Sequence, residues 1–401
     1  MKSYLLAQQK RIDKLNHKNQ KRKNRVYWWM IVTLLVSLLV GCASTPEPTP
    51  EPPRTPTPMP PHLFEAPEPE PELNLFEGMV INPLTGLWID EDIAGKRPMA
   101  YVINNLPRAL PQSGISQADI IYEVLAEGGI TRLVAIFTDT TAEMVGPIRS
   151  TREYFAAIAV NHGAVLVHHG GSPSGYSAIN TLGIQNLDGM ALEGSVFWRD
   201  QARWNAGGMR EHSSYTNHAN VRENMANRGI ELYSQDVHLF NFFEEPTTPT
   251  GHNVGLLDEL MLPFSSSHRA NFIYDPEQKL FYRYQRGQAH WDEYTDSQIQ
   301  VANIIIQHVP MHVIAGDPEG RMNVNLVGEG AGYLVTAGTY APITWSRSSN
   351  STPTIFLDAL GNPLTLNPGM TWIGIVGMNV QPEFLMHDAD ADAANEPNEA
   401  Q

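Results

Sequence analysis

Apolar residues between Met99 and Val376 come in short runs, mostly four to eight long, separated by Gly, Pro, Asn and Asp. The run Ala100-Tyr-Val-Ile-Asn104 predicts a strand. Asp119-Ile-Ile-Tyr-Glu-Val-Leu-Ala-Glu127, then Gly128-Gly129, then Ile130-Thr-Arg-Leu-Val-Ala-Ile-Phe137 predict a β-hairpin turned on the glycine pair. The period then changes. Ser150-Thr-Arg-Glu153 fits a capping box, Phe155, Ile158 and Ala159 form a helical stripe, and Gly163 ends it. Ala164-Val-Leu-Val-His-His169 predicts another strand. After Gly170-Gly171 a second helix opens, with Ser172 as N-cap and Pro173 at its first position. Helices and strands alternate, so this half reads as mixed α/β.

From Leu257 the pattern is nearly all strand. Asn271-Phe-Ile-Tyr274 and Lys279-Leu-Phe-Tyr-Arg-Tyr284 flank an Asp-Pro turn. Val301–Gln307, Met322–Val327, Gly332–Thr336, Ile343–Ser346 and Thr371–Val376 continue the series. A small barrel or sandwich is expected. Gly328-Glu-Gly-Ala-Gly332 reads as a turn; with no helix after it, it is no phosphate loop. The fold class is thus α+β, an N-terminal mixed α/β domain over 75–256 followed by a smaller mostly-β domain over 257–385.

The N-terminal 74 residues are of another kind. Eight basic residues from Lys10 to Arg25 precede an apolar core, Met30–Val40, which suits a signal peptide better than a span of roughly 20 residues. Leu39-Val-Gly-Cys42 resembles a bacterial lipobox, and Cys42 is the only cysteine in the chain. We expect residues 1–41 to be a signal peptide. Cys42 would then be lipidated and anchor the protein to the extracytoplasmic face of the membrane. Residues 42–74 are Pro/Glu-rich and predict a disordered, extended linker. With one cysteine, the exported domains must rely on ordinary cores rather than disulfides.

Cutting before Cys42 also changes the charge. Residues 1–41 hold nine of the 27 Lys/Arg and one of the 43 Asp/Glu, so the remainder carries a formal charge of −24. That excludes nucleic acid as a natural partner. The tail, 386–401, places Asp388, Asp390, Asp392 and Glu399 at calcium-loop spacing. Ala393 stands where that loop needs glycine, so an acidic disordered tail is expected.

Candidate chemistry centres on the first half. Asp119, Glu123 and Glu127 fall at i, i+4, i+8, which puts them on one face of a strand. Neighbours in that set would lie about 13 Å apart, beyond the roughly 5–9.5 Å of a glycosidase pair. Arg132 is placed to pair with Glu123 or Glu127. Arg149 and Arg152 beside a helix start suit a carboxylate or phosphate. His168 and His169 end a strand where α/β domains often bind ligands, and point to opposite faces. A metal site would need His212 or His218 in addition, and no paired-ligand spacing supports one; neither metal nor cofactor is expected. Ser172 lacks the G-x-S-x-G context of a nucleophile. Trp198, Arg199, Arg203, Trp204 and Tyr215 cluster in a loop that could hold a sugar or peptide.

Longer strings carry a resemblance. Asn82-Pro-Leu-Thr-Gly86, Asn104-Asn105, Pro111-Gln-Ser-Gly114, Gln117-Ala-Asp-Ile120, Tyr122-Glu123, Glu127-Gly-Gly-Ile-Thr-Arg132, Gly146-Pro-Ile-Arg-Ser150, Tyr282-Arg283, Gly328–Tyr333 and Asn367–Ile373 resemble the YerB-like lipoprotein family. The likeness runs from about Asn82 to Gly377. It implies a larger N-terminal and a smaller C-terminal part in an extracytoplasmic protein without an assigned activity, and carries over no catalytic residues.

Two functions follow as expectations. The first is a membrane-tethered binding or scaffold lipoprotein of the cell envelope, with a polar cleft in its N-terminal domain. Asn104, Glu123, Arg132, Arg149, Arg152, His168 and Ser172 are its candidate ligand-binding residues, and the cell wall or an envelope protein its partner. The second is a hydrolase of cell-wall glycan or peptide, using Glu123 or Glu127 with help from His168.

Overall fold

The computed structural model describes residues 77–205, 210–233, 239–250 and 253–386. The signal peptide, Cys42, the linker and the calcium-like spacing of the tail lie outside the described residues.

Strand β1 (Met99–Asn104) is buried at every position. Strands β2 (Ile120–Glu127) and β3 (Ile130–Phe137) form the hairpin, with Gly128 and Gly129 both at positive φ in the turn. Helix α1 (Glu153–Asn161), strand β4 (Val165–His168), helix α2 (Pro173–Leu182) and strand β5 (Asn186–Asp188) follow. Ser172 caps α2 as expected, its Oγ accepting from Gly175 N at 3.0 Å, with Pro173 at the first position. The capping box proposed for Ser150–Glu153 does not form. Helix α1 begins at Glu153, and its N-cap, Arg152, makes no side-chain cap bond. The Ser150 hydroxyl donates instead to His169 O, 3.1 Å away. Helix α3 (His218–Asn227) completes this half.

Then come β6 (Glu259–Pro263), β7 (Arg269–Asp275), β8 (Leu280–Gln285), β9 (Asn303–Val309), β10 (Gly328–Thr336), β11 (Thr339–Arg347) and β12 (Thr371–Gly377). The glycines expected to form a turn before Tyr333 lie inside β10, paired with β11 from Gly328↔Arg347 to Thr336↔Thr339. Backbone and ring crowding explains them. A Cβ on Gly332 would sit 2.3 Å from Ile306 O, and one on Gly330 2.7 Å from Trp345 Nε1.

The protein is α+β, mixed in its first half and dominated by strands in its second. The second half does not close into a barrel or sandwich of its own. Its strands divide between two sheets. An 11-stranded sheet runs β11-β10-β9-β12-β2-β3-β1-β4-β5, with short strands at its β11 side. Its join is β12, which pairs in parallel with β9 on one side and β2 on the other. A six-stranded sheet is built on β6, β7 and β8.

Strands covered on both faces read as unbroken apolar runs rather than alternating ones. Here one face of the large sheet (Tyr101, Ile103, Ile121, Leu133) packs on the six-stranded sheet through Leu260, Phe272 and Phe281, and on α3 through Val221 and Met225. The other face (Val102, Tyr122, Val134) packs on α1 through Phe155 and Ile158 and on α2 through Ile179. Three layers result.

Candidate functional site

The three neighbouring strands β1, β4 and β5 are parallel, so their carboxyl ends lie at one edge of the sheet. Ligands in α/β sheets favour that edge. A cleft of about 870 Å³ opens there, beside Arg149, His169, Tyr176, Glu193, Arg199 and Arg210. The segment carrying Arg149 is stitched in by backbone bonds. Arg149 N donates to Val102 O at 2.8 Å, and His169 N to Arg149 O at 3.0 Å.

His169 has a fixed proton. Arg199 Nη2 lies 2.8 Å from His169 Nε2, and an arginine only donates, so Nε2 accepts. The imidazole proton is then on Nδ1 and donates to Ser214 Oγ at 2.8 Å. Burial, and after it the Arg199 charge, lowers His169 to about 4, so the ring is neutral at pH 7. Gly189 leaves room for it, since a Cβ there would meet His169 Nδ1 at 2.2 Å. Glu193, its Oε2 3.5 Å from His169 Nε2, accepts from Arg199 Nη2 at 2.8 Å and Arg210 Nη2 at 2.9 Å. Those hydrogen bonds, led by Arg199, hold its carboxyl down at about 2.

Arg149 is less well partnered. Its Nη1 makes one long bond, 3.5 Å to Glu211 O, and among the described residues its buried Nε has no partner. Burial lowers its pKa, with Glu211 and Glu127 opposing. The Nε of Arg199 is likewise buried and unpartnered.

The other proposed site residues have definite places. Arg132 and Arg152 lie behind the cleft. Both pair with Glu127, Arg132 Nη2 closely and Arg152 Nη2 at 2.6 Å. Arg132 Nη1 also donates to Ser150 O at 2.8 Å, propping the strip that bears Arg149. Asn104 is buried, its Nδ2 2.7 Å from His212 Nδ1. His168 is fully buried, its Nδ1 donating to Gly170 O at 2.8 Å. Ser172 is spent as the α2 cap. His218 sits apart from His212, against Asp139 at 3.2 Å.

Glu123 belongs to a different assembly. Its Oε1 accepts from His268 Nε2 and Thr131 Oγ1, both at 2.7 Å, and from Asn105 Nδ2 at 3.1 Å. Its Oε2 accepts from Arg283 Nη2 at 2.8 Å. Burial alone would raise this carboxyl, but Arg283, then His268, hold it well below the usual range. Glu123 and Glu127 do not share one face as spacing suggested. The pairing of β2 with β3 shifts register between Leu125 and Glu127, and such an irregularity changes the alternation of faces. Glu127 therefore meets Arg132 and Arg152, while Glu123 meets Arg283 in the layer beyond. Asp119 sits elsewhere again, beside a recess of about 510 Å³. Burial lifts it to about 6, against hydrogen bonds from Thr138 N and Asn82 Nδ2.

Of the expected residues, then, Arg149 faces the cleft and the Arg132–Glu127–Arg152 triad supports it. Arg199, from the aromatic and arginine loop, joins it. Glu193, Arg210 and Tyr176 were not singled out from the sequence; the one local signal was the strand-to-helix turn after His169.

The class of protein is defined by comparison with known families. Residues 84–231 match the family described as "Protein of unknown function (DUF3048) N-terminal domain", and 260–373 match its C-terminal domain. The chain belongs to this family. It is 31% identical over 297 residues to the Bacillus subtilis (strain 168) protein named "Putative lipoprotein YerB", covering 73% of this chain and 85% of that one. The crystal structure of the YerB protein from Bacillus subtilis superposes with a TM-score of 0.66 at 30% identity, covering 76% of this chain and 99% of that chain.

Proposed function

We propose that this protein is a membrane-tethered binding lipoprotein of the bacterial envelope, held outside the cytoplasm through Cys42, with its ligand seated in the cleft at Arg149 and His169. The observation that carries the binding reading is the state of the cleft's imidazole and of the carboxylate that clamps it. His169 Nε2 already accepts from Arg199, so it has no lone pair for a substrate proton. Glu193 is committed to two arginines. A general base needs a free, reachable lone pair. The two acids considered for hydrolysis are equally committed: Glu123 is enclosed and Glu127 holds two arginines. The tether rests on the lipobox-like Leu39–Cys42 and on similarity to a relative named as a lipoprotein.

Two measurements test this. Expressed in a bacterial host, the full chain should take up labelled fatty acid and sediment with membranes, and Cys42→Ser should take up no label; absence of label on the wild-type chain, or label retained by Cys42→Ser, would overturn the lipid anchor at Cys42. The detergent-solubilised chain, mixed with purified cell-wall sacculi, should release no soluble fragments. Fragment release would replace the binding reading by the hydrolase.

A further inference from the structure

The cleft's charge and its unused donors identify the ligand more closely, on the reading that the cleft binds one. The chain after Leu39–Cys42 carries a formal charge of −24, so a locally positive site stands against its background. Arg149, Arg199 and Arg210 line the cleft with Glu193 and Glu211, which leaves one net positive charge. Immediately behind, Arg132 and Arg152 share the single carboxylate of Glu127, which adds a second, while Asp188, bonded to Gly170 N, Met190 N and the Tyr176 hydroxyl, offsets one, so the cleft keeps one net positive charge. Such a focus raises the local concentration of anions.

Hydrogen-bond supply points the same way. Buried donors are nearly always satisfied, and each exception calls for an explanation. Two guanidinium Nε groups at this cleft, on Arg149 and Arg199, are buried without a partner among the described residues, as are those of Arg152, Arg283 and Arg321 elsewhere; what sets Arg149 apart is that its one other bond there is the 3.5 Å one to Glu211 O. Guanidinium is the side chain whose planar fork matches a carboxylate or phosphate. The remaining wall is partly apolar. Met190 is 68% and Tyr176 38% exposed, and the buried Ile148 also lines the cleft. The volume fits a small organic molecule rather than a bare ion.

We infer that the cleft binds an organic oxyanion, its carboxylate or phosphate on Arg149 and its apolar part against Tyr176 and Met190. Glu211 is the carboxylate with the larger Coulombic effect on Arg149, ahead of Glu127, and would compete with a bound anion for it.

The full chain in detergent would be titrated by calorimetry at low salt with phenylacetate, phenyl phosphate and the neutral phenylacetamide. At least one anion should saturate and bind tenfold or more tightly than the amide; which anion wins separates the carboxylate source from the phosphate source. Arg149→Gln should weaken that anion at least tenfold, Arg149→Lys should recover part of it, and Glu211→Gln should tighten it severalfold. Unfolding midpoints of the variants show whether Arg149→Gln is folded; if it is not, the Glu211→Gln result decides alone. Absence of saturable binding by both anions, equal binding of the amide, or indifference to Glu211→Gln overturns the inference. If the anions fail while the wild-type chain sediments with sacculi and folded Arg149→Gln does not, the inference falls and the cleft reading survives with a neutral ligand. If both fail, the cleft reading falls too.

Discussion

Glu123 and Arg283 lie 160 residues apart in the chain and 2.8 Å apart in the fold, with neither side chain exposed. The pair ties the large sheet to the six-stranded one. Arg283 is sandwiched further, its guanidinium 4.3 Å from the Trp372 ring centroid and 5.7 Å from that of Phe272. Its Nη1 also donates to Gln285 Oε1 at 2.8 Å and to His290 Nδ1. His290 Nε2 in turn meets Gln112 Oε1 at 2.6 Å, and Gln112 Nε2 donates to Asn105 Oδ1 at 3.0 Å. The resemblance strings Asn104-Asn105, Pro111-Gln112, Tyr122-Glu123 and Tyr282-Arg283 thus converge on one buried network.

Breaking one partner of such a pair costs far more than replacing both. Glu123→Gln leaves the Arg283 charge buried and should destabilise the fold by about 3–5 kcal/mol. Adding Arg283→Met should recover a large part of that, because the uncompensated charge goes with it. Urea unfolding of the two single variants and the double variant measures the coupling. A Glu123→Gln protein as stable as wild type would show that the network carries no such load.

The buried imidazoles make acid the weak side of this fold. Burial lowers His162 and His218 to about 3 and, with Arg199, His169 to about 4. The unfolded chain takes up these protons below the ordinary value of about 6.5 while the folded chain does not. Stability is therefore full above that pH and falls as the pH drops toward 4, by at most about 1.4 kcal/mol per pH unit for each histidine. Asp119 acts with the opposite sign. Its folded value of about 6 lies above the unfolded one, so between roughly 4 and 6 it adds stability as the pH falls. His162→Gln should flatten the decline between pH 6.5 and 4, and Asp119→Asn should steepen it. Urea unfolding at four or five pH values reads both slopes; no change of slope in either variant would contradict the assignment.

Local chemistry made part of this structure legible. The Gly128-Gly129 hairpin, the strand ending in His168 and the Ser172 cap each depend on a few adjacent residues, and each is where the sequence put it. The parallel seat of β12 between β9 and β2 depends on pairings over long sequence separations, which no local pattern encodes. The face occupied by Glu127 depends on a register shift that strict alternation cannot foresee. The cleft was half visible: Arg149 came from its helix-start context, while Glu193 and Arg210 come from separate segments that only folding brings to His169.

Gly332 tests the reading of the glycine-rich segment as strand. In a turn it would accept alanine where φ allows; in β10 its added Cβ would press on Ile306 O at 2.3 Å, a backbone atom that cannot rotate away. Gly332→Ala should cost about 1–3 kcal/mol as an overpacked site. It should also speed hydrogen exchange at the β9–β10 pairing that spans Asn303↔Thr336 to Gln307↔Gly332. Unchanged exchange there, with unchanged stability, would refute the close approach.

His169 offers the most direct check on the cleft. Its low value has two causes that a substitution can separate: burial first, then the Arg199 charge, with Glu193 opposing. Arg199→Gln removes the guanidinium that donates to Nε2 and leaves Glu193, 3.5 Å from that nitrogen, as the nearest charge. The His169 titration midpoint should then rise from about 4 toward the ordinary 6.5, and the ring should gain a proton on Nε2 facing Glu193. Histidine carbon and nitrogen NMR shifts followed with pH report both the midpoint and the protonated nitrogen. In the wild type they should show Nδ1–H down to about pH 4. A midpoint unmoved by Arg199→Gln would mean that burial alone holds the ring neutral, and that Arg199 is free to serve the ligand rather than the histidine.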